Sequence, residues 1–249
     1  MKRFSGRKPA EEFSGAWFNG SLAATSVLEA VSLVTPVIEG FLIRTVSDGL
    51  DAAPFPFRAS CLGFMKEEAL HSCAHRKLNS RLLEHLGEEP PALARVEHLL
   101  DLARKRLPLS SRLAIASALE HFTAVFSLAY AASESEMEFG SDFARELFSV
   151  HAQDELTHRA VVFNLWQEIS CCSAPMRLFA LLPVLLAAGI YFQSAVPWIL
   201  FRKAERKVGK FLAELGNLRR DATGFAPFGK IFHFAGKNFH PDHLRGEPR

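Results

Sequence analysis

Apolar residues recur every three or four positions through most of this chain, which is the spacing of one face of an α-helix. Alternating runs that would indicate strands are nearly absent, so the pattern predicts an all-α protein. The segment DAAPFP (51–56) and Gly87 each interrupt the helical periodicity and separate predicted helices. Four long helices are predicted, with a shorter crossover helix ending near residue 106: 21–50, 58–86, 108–132 and 141–169.

The chain changes character after Pro175. Residues 178–201 include no charged side chain, and 24 residues are enough to cross a bilayer. Prolines inside this stretch and basic residues at both of its ends argue against a simple membrane span. Two alternatives stay open: a hydrophobic element that contacts the membrane surface, and a buried helix at a homodimer interface or along a substrate tunnel. A basic amphipathic stretch, 202–220, and a tail rich in Phe and Gly follow.

Composition narrows the classes of function. The net charge is only +2, and the basic residues are spread along the chain without interleaved aromatics, so nucleic-acid binding is not expected. The four cysteines form no metal-binding or disulfide spacing, and the first residues lack the apolar stretch of a secretory signal. We therefore expect a cytoplasmic protein, with association at the inner face of the membrane as the alternative. The 22 Phe residues indicate a thick apolar core or an apolar pocket.

Two Glu-x-x-His pairs carry the candidate chemistry. Glu68 and His71 lie on the second predicted helix, and Glu155 and His158 lie on the fourth. Residues three apart share one face of a helix, so the two side chains of each pair can bind the same metal ion. Such pairs on two helices, with one further Glu from each of two others, are the ligand set of ferritin-like di-iron and di-manganese proteins.

The two further glutamates are available. Glu39 lies in the first helix and Glu120 in the third. Carboxylates can bridge two cations, and neutral imidazoles suit the same metals. The sequence therefore predicts a site for two metal ions, iron in the first place, with manganese or zinc as alternatives. The competing interpretation is that these residues are surface charges.

Neighbouring residues extend the predicted site. His151 precedes Glu155 by four positions and His75 follows His71 by four, so both fall on the ligand faces. His151 is the stronger candidate for a third metal-binding histidine. Asp154 could accept a hydrogen bond from a ligating imidazole. His121 is turned 100° from Glu120 and suits a structural or supporting role better than ligation.

Four segments resemble the bacterial family known as predicted metal-dependent hydrolases, within the ferritin-like superfamily. They are FMKEEALHSCAHRKLN (64–79), ALEHFT (118–123), HAQDELTHRAVVF (151–163) and NFHP (238–241). The triplet His151, Glu155 and His158 also resembles the third-histidine pattern of the di-iron arylamine N-oxygenases. The resemblance implies a set of seven metal ligands: Glu39, Glu68, His71, Glu120, His151, Glu155 and His158.

The motifs and the resemblance together imply a ferritin-like four-helix bundle with additional C-terminal hydrophobic and amphipathic helices. The expected segments are an N-terminal arm (1–20), the bundle (21–170), the accessory helices (171–222) and a C-terminal tail (223–249).

Three functions compete for such a site. The first is a dioxygen-activating oxygenase or oxidase that acts on an apolar small molecule and takes electrons from a cytoplasmic donor. The second is a hydrolase in which a metal ion activates water. The third is a metal-binding bundle without catalysis.

Overall fold

A computed structural model of the chain describes residues 13–221 and 228–244. Within these ranges the protein is helical, and a single antiparallel bridge between Phe18 and Phe139 is its only extended pairing. The predicted all-α class is confirmed. The helices are α1 (Leu22–Gly49), α2 (Phe57–Leu86), α3 (Pro91–Arg106), α4 (Leu109–Ser133), α5 (Asp142–His158), α6 (Val161–Ile169), α7 (Ala174–Lys203), α8 (Val208–Asp221) and the short α9 (Phe228–Ile231).

The helix ends follow the local chemistry of the sequence. The side chains of Ser21 and Ser141 accept hydrogen bonds from the backbone N–H groups of Ala24 and Ala144, so each serine caps the start of its helix, α1 or α5. Gly87 ends α2 in the left-handed conformation, with φ of +80°, which glycine adopts without steric penalty. The bounds predicted for the first two helices lie within one residue of those observed.

The helix predicted over residues 141–169 is two helices in the structure. A turn at Arg159 and Ala160 separates α5 from α6. The Arg159 guanidinium donates to the carbonyl of Leu156, which the break leaves without its helical partner, and also donates to the carbonyl of Pro241 at 3.0 Å. The prediction of one continuous helix was therefore wrong, because a side chain and a distant segment stabilise the turn.

Four helices surround the centre of the molecule. α1 packs against α2, α4 against α5, and the two pairs meet through contacts of α1 with α4 and of α2 with α5. Large apolar side chains fill the core on either side of this centre, Phe41, Phe64 and Trp166 in one cluster and Leu78 and Phe148 in the other. α7 packs on α1, α3 and α4, so it shares this core.

In the described ranges, three helices, α1, α4 and α7, are long and apolar enough to cross a membrane by length and composition. They differ in burial: in the most apolar stretch of α7 33% of the residues are buried, compared with 50% in α1 and 61% in α4. The face of α7 that carries Phe179, Leu182, Leu186 and Ile190 is exposed. Of these three helices, the most apolar is thus the one least covered by the rest of the described chain.

Both ends of the described chain pack onto the helices. Phe13, Trp17 and Phe18, from the predicted N-terminal arm, are buried. In the tail, Phe234 is buried, and the Arg177 guanidinium of α7 donates to the carbonyls of Cys172, Phe234 and Gly236. Residues 1–12 of the predicted arm, and residues 222–227 and 245–249 at the end of the chain, lie outside the described residues.

Candidate metal centre

The seven predicted ligands come together where α1, α2, α4 and α5 meet. Their nitrogen and oxygen atoms form three groups, and within each group the atoms lie within 4.8 Å of one another. Every one of the seven belongs to at least one group. The groups are Glu39–His71–His151, Glu68–His71–His158 and Glu120–Glu155–His158.

Histidine and glutamate side chains face each other across the helices. His158 Nδ1 lies 3.0 Å from Glu120 Oε1, and His158 Nε2 lies 3.3 Å from Glu68 Oε1. His151 Nε2 lies 3.0 Å from Glu155 Oε1. The other oxygen of Glu155 accepts a hydrogen bond from Thr123 Oγ1 at 2.9 Å. α5 thus supplies ligands toward both α2 and α4.

Several of these buried polar atoms lack a hydrogen-bond partner in the described chain. They include both oxygens of Glu68, Oε2 of Glu120, Nδ1 of His71 and Nε2 of His158. Buried polar groups are almost always hydrogen-bonded, because removing them from water is otherwise unfavourable. Lone pairs of carboxylates and imidazoles that converge without donors suit a cation. The residues present therefore fit bound metal ions.

Burial also changes the pKa values of the carboxylates. It raises the pKa of Glu39 to about 8 and, together with the neighbouring carboxylates, that of Glu68 to about 12. It also raises the pKa of Glu120 well above its usual value. Burial opposes the charge on Glu155, but the hydrogen bond and the charge of His151 outweigh it and lower the pKa of Glu155. So many buried carboxylates can all ionise only when cations replace their protons.

Asp154 orients His71. His71 Nε2 lies 2.9 Å from Asp154 Oδ2, so this nitrogen donates to the carboxylate, and Nδ1 faces Glu68 Oε1 at 3.9 Å. A hydrogen bond of this kind fixes the tautomer of a ligating imidazole and raises its basicity. The contact is the one that the sequence analysis expected of Asp154.

His75 and His121 occupy different surroundings. His75 Nε2 lies 3.1 Å from His151 Nδ1, so His75 contacts a predicted ligand but belongs to none of the three groups. The ring of His121 stacks on Phe234, and its Nε2 donates to the carbonyl of Ile231 at 2.9 Å. His121 therefore contacts the C-terminal segment and takes no part in the three groups.

Sequence reasoning missed three polar residues around the site. Thr123, which bonds to Glu155, lies three positions after Glu120, a spacing that could have revealed it. Asn79 follows His75 by four positions, and its side chain contacts Ser32 of α1. Ser32 had no such signal, because its contact depends on how α1 and α2 pack.

Fold and site together define an all-α protein whose buried carboxylates and histidines can hold metal ions. Among known proteins, the family model described as "Predicted metal-dependent hydrolase" matches residues 5–244. The chain belongs to this family, and the resemblance inferred from its motifs is confirmed. Searches of curated proteins and of solved structures found no match. Membership of the ferritin-like superfamily stays a prediction.

Proposed function

We propose that this protein is a hydrolase that depends on two metal ions bound by the seven clustered residues. The observation that carries the proposal is the convergence of buried carboxylate and imidazole atoms from four helices, several of which have no hydrogen-bond partner among the described residues. The family to which the chain belongs supports hydrolysis as the reaction. Bound metal ions supply a Lewis acid that polarises a substrate oxygen and activates water at neutral pH.

Glu68 would help to hold both ions. It shares a group with both His71 and His158, and both of its oxygens lack hydrogen bonds. Glu39, His71 and His151 would hold one ion beside it. Glu120, Glu155 and His158 would hold the other. Two cations held close together could act on one substrate.

Apolar side chains restrict water around the centre. The ring of Phe64 meets the edge of His158 at 5.0 Å between centroids, and Phe148 meets His75 at 5.6 Å. Low polarity strengthens the interaction of bound cations with the substrate. We therefore expect a small apolar substrate with one hydrolysable polar group.

A substitution at a candidate metal ligand tests the proposal directly. In Glu68→Ala, the chain loses a carboxylate that would help to hold both ions, and we expect loss of stoichiometric metal by elemental analysis together with loss of ester hydrolysis. Glu67→Ala is the matched control, because Glu67 is the exposed neighbour of Glu68. Equal metal content in wild type, Glu68→Ala and Glu67→Ala would refute the proposed centre.

A second candidate, dioxygen activation by a di-iron pair, is favoured by one observation. The ligand set contains four glutamates, the carboxylate-rich composition found in di-iron proteins of helical bundles. This activity would require an apolar substrate and an electron donor. Hydrolysis without oxygen by the zinc- or manganese-loaded protein supports the first function. Substrate-dependent oxygen consumption by the reduced iron-loaded protein supports the second.

A further inference from the structure

A chain of hydrogen bonds runs from α1 to the metal centre, and it starts at a carbonyl that Pro36 leaves without its helical donor. In an α-helix the N–H of residue 36 would donate to the carbonyl of Ser32, but proline has no N–H. Asn79 Nδ2 of α2 donates to this carbonyl instead, at 2.9 Å. Because a carbonyl can only accept, the bond fixes the orientation of the Asn79 amide and directs its Oδ1 toward Ser32 Oγ.

The Ser32 hydroxyl then fixes the tautomer of His75. Ser32 Oγ lies 2.6 Å from Asn79 Oδ1, an acceptor, so the single hydroxyl hydrogen is donated there. Ser32 Oγ also lies 2.9 Å from His75 Nδ1. With its hydrogen already donated, the hydroxyl can only accept from His75. The proton of the His75 ring is therefore on Nδ1.

The tautomer of His75 determines which nitrogen donates in its hydrogen bond with His151. His75 Nε2 and His151 Nδ1 lie 3.1 Å apart, and one of them must donate. Among the described residues, His75 forms its hydrogen bonds with Ser32 and His151 and with no carboxylate. A second proton would make it a buried cation without a counter-ion. His75 Nε2 therefore accepts, and His151 Nδ1 donates.

We propose that His75 is a positioning residue that holds His151 in the tautomer whose Nε2 binds metal. His151 offers two nitrogens to the centre: Nδ1 is 3.7 Å from Glu39 Oε1, and Nε2 is 3.0 Å from Glu155 Oε1. The hydrogen bond to His75 occupies Nδ1 and leaves Nε2 available to a metal ion. The inference rests on the proposed metal centre but not on the reaction that it catalyses.

Nuclear magnetic resonance of ¹⁵N-histidine-labelled protein tests the tautomers. Long-range correlations report which ring nitrogen carries a proton, and the spectrum of His75→Gln assigns the His75 signals. We expect a proton on Nδ1 of His75 in both metal-free and zinc-loaded protein, and on Nδ1 of His151 after zinc loading. A His75 ring protonated on Nε2 alone would overturn the proposal, even if the wild type bound no zinc.

Zinc affinity, measured by competition with a chromogenic chelator, tests the role of His75. Removal of an orienting hydrogen bond weakens metal affinity by about 10- to 100-fold, so we expect this loss in His75→Leu. A glutamine amide oxygen replaces the Nε2 acceptor, so His75→Gln should stay within about threefold of the wild type.

His121→Phe is the matched control. His121 is as deeply buried as His75 but contacts the C-terminal segment, so this variant should keep wild-type affinity. Equal losses in His75→Leu and His121→Phe, or in His75→Leu and His75→Gln, would overturn the positioning role. A wild type that binds no zinc would instead refute the metal centre. The tautomer of His75 in the metal-free protein would then test the hydrogen bonds from Asn79 through Ser32 to His75.

Discussion

The buried carboxylates of the metal centre determine how the stability of the metal-free protein responds to pH. Burial raises the folded-state pKa of Glu39 from 4.5 to about 8 and that of Glu68 to about 12. At these two groups the folded state binds more protons than the unfolded state between pH 4.5 and about pH 8, so they make the free energy of unfolding fall as pH rises. Burial lowers the pKa values of His71, His75 and His121, which act in the opposite sense up to about pH 6.5. We therefore expect the melting temperature of metal-free protein to fall between about pH 7 and pH 8.

Metal loading should remove this dependence, because bound cations take the place of the protons. Calorimetry of chelator-treated and metal-loaded protein over the same pH range measures the difference. Glu68→Gln, which keeps an uncharged side chain of the same shape, should flatten the slope of the metal-free protein. A metal-free protein that becomes more stable toward pH 8 would contradict the assignment of raised pKa values.

A buried ion pair lies outside the metal centre. Lys203 Nζ of α7 contacts Glu29 Oε1 at 2.7 Å and the carbonyl of Phe13 at 3.0 Å, and Trp17 Nε1 donates to the same Glu29 oxygen at 2.8 Å. Both charged side chains are almost fully buried. This ion pair joins α1, α7 and the segment before α1.

Lys203→Met should be strongly destabilising, because it leaves Glu29 buried without its cation. Breaking one partner of a buried ion pair costs about 3–5 kcal/mol, which corresponds to a fall of roughly 6–20 °C in melting temperature for a chain of this size. Lys207→Met is the control, because the Lys207–Glu205 pair is exposed, and its melting temperature should not change. Equal effects of the two substitutions would show that the buried pair carries no special stability.

At the scale of the elements, α7 presents an apolar face that the protein leaves uncovered. Phe179, Leu182, Leu186 and Ile190 follow one another at spacings of three and four, so they form one stripe, and they are 81%, 52%, 66% and 52% exposed. The neighbouring helix α3 ends in exposed basic residues at 104–106. An exposed apolar stripe suits a membrane surface, and basic residues on a helix that packs against α7 favour anionic lipids.

We expect Leu182→Ser with Leu186→Ser to reduce the fraction of protein that floats with anionic vesicles by about fivefold, because burial of leucine in the lipid contributes most of the binding energy. The same substitutions at Leu62 and Leu70, which are exposed on α2, serve as the control and should leave flotation unchanged. Loss of a dimer in size-exclusion chromatography, without any change in flotation, would instead identify the stripe as a dimer interface.

At the scale of the whole molecule, residues 228–244 tie the C-terminal end of the described chain to the bundle. Phe234 is fully buried against His121 of α4, Phe163 of α6 and Phe239. Arg177 of α7 donates to the carbonyls of Phe234 and Gly236. The segment thus covers helices that are distant from it in sequence.

Phe234→Ala should lower the free energy of unfolding by about 3–5 kcal/mol, because removal of a buried phenylalanine leaves a cavity. Denaturant titration followed by circular dichroism measures this loss. Phe232 lies two residues away, and its side chain is 54% exposed. The free energy of unfolding of Phe232→Ala should therefore stay within about 0.5 kcal/mol of the wild type. A stability equal to that of wild type in Phe234→Ala would show that the segment does not hold the bundle together.

The sequence by itself determined most of the helices and the candidate metal ligands. Helical periodicity places residues three or four apart on one face, so the pairs Glu68–His71 and Glu155–His158 could be predicted with their partners Glu39 and Glu120. Capping residues such as Ser141 act on their own backbone, so the helix starts were also readable. These features depend on neighbours along the chain.

Only the tertiary structure decided the features that depend on distant segments. The turn after His158 is held in part by the carbonyl of Pro241, and His121 faces Ile231, 110 residues away. The Ser32–His75 contact and the buried Lys203–Glu29 pair likewise join segments 43 and 174 residues apart. Which side chains meet across such separations is set by how whole helices pack, and no local spacing in the sequence encodes that packing.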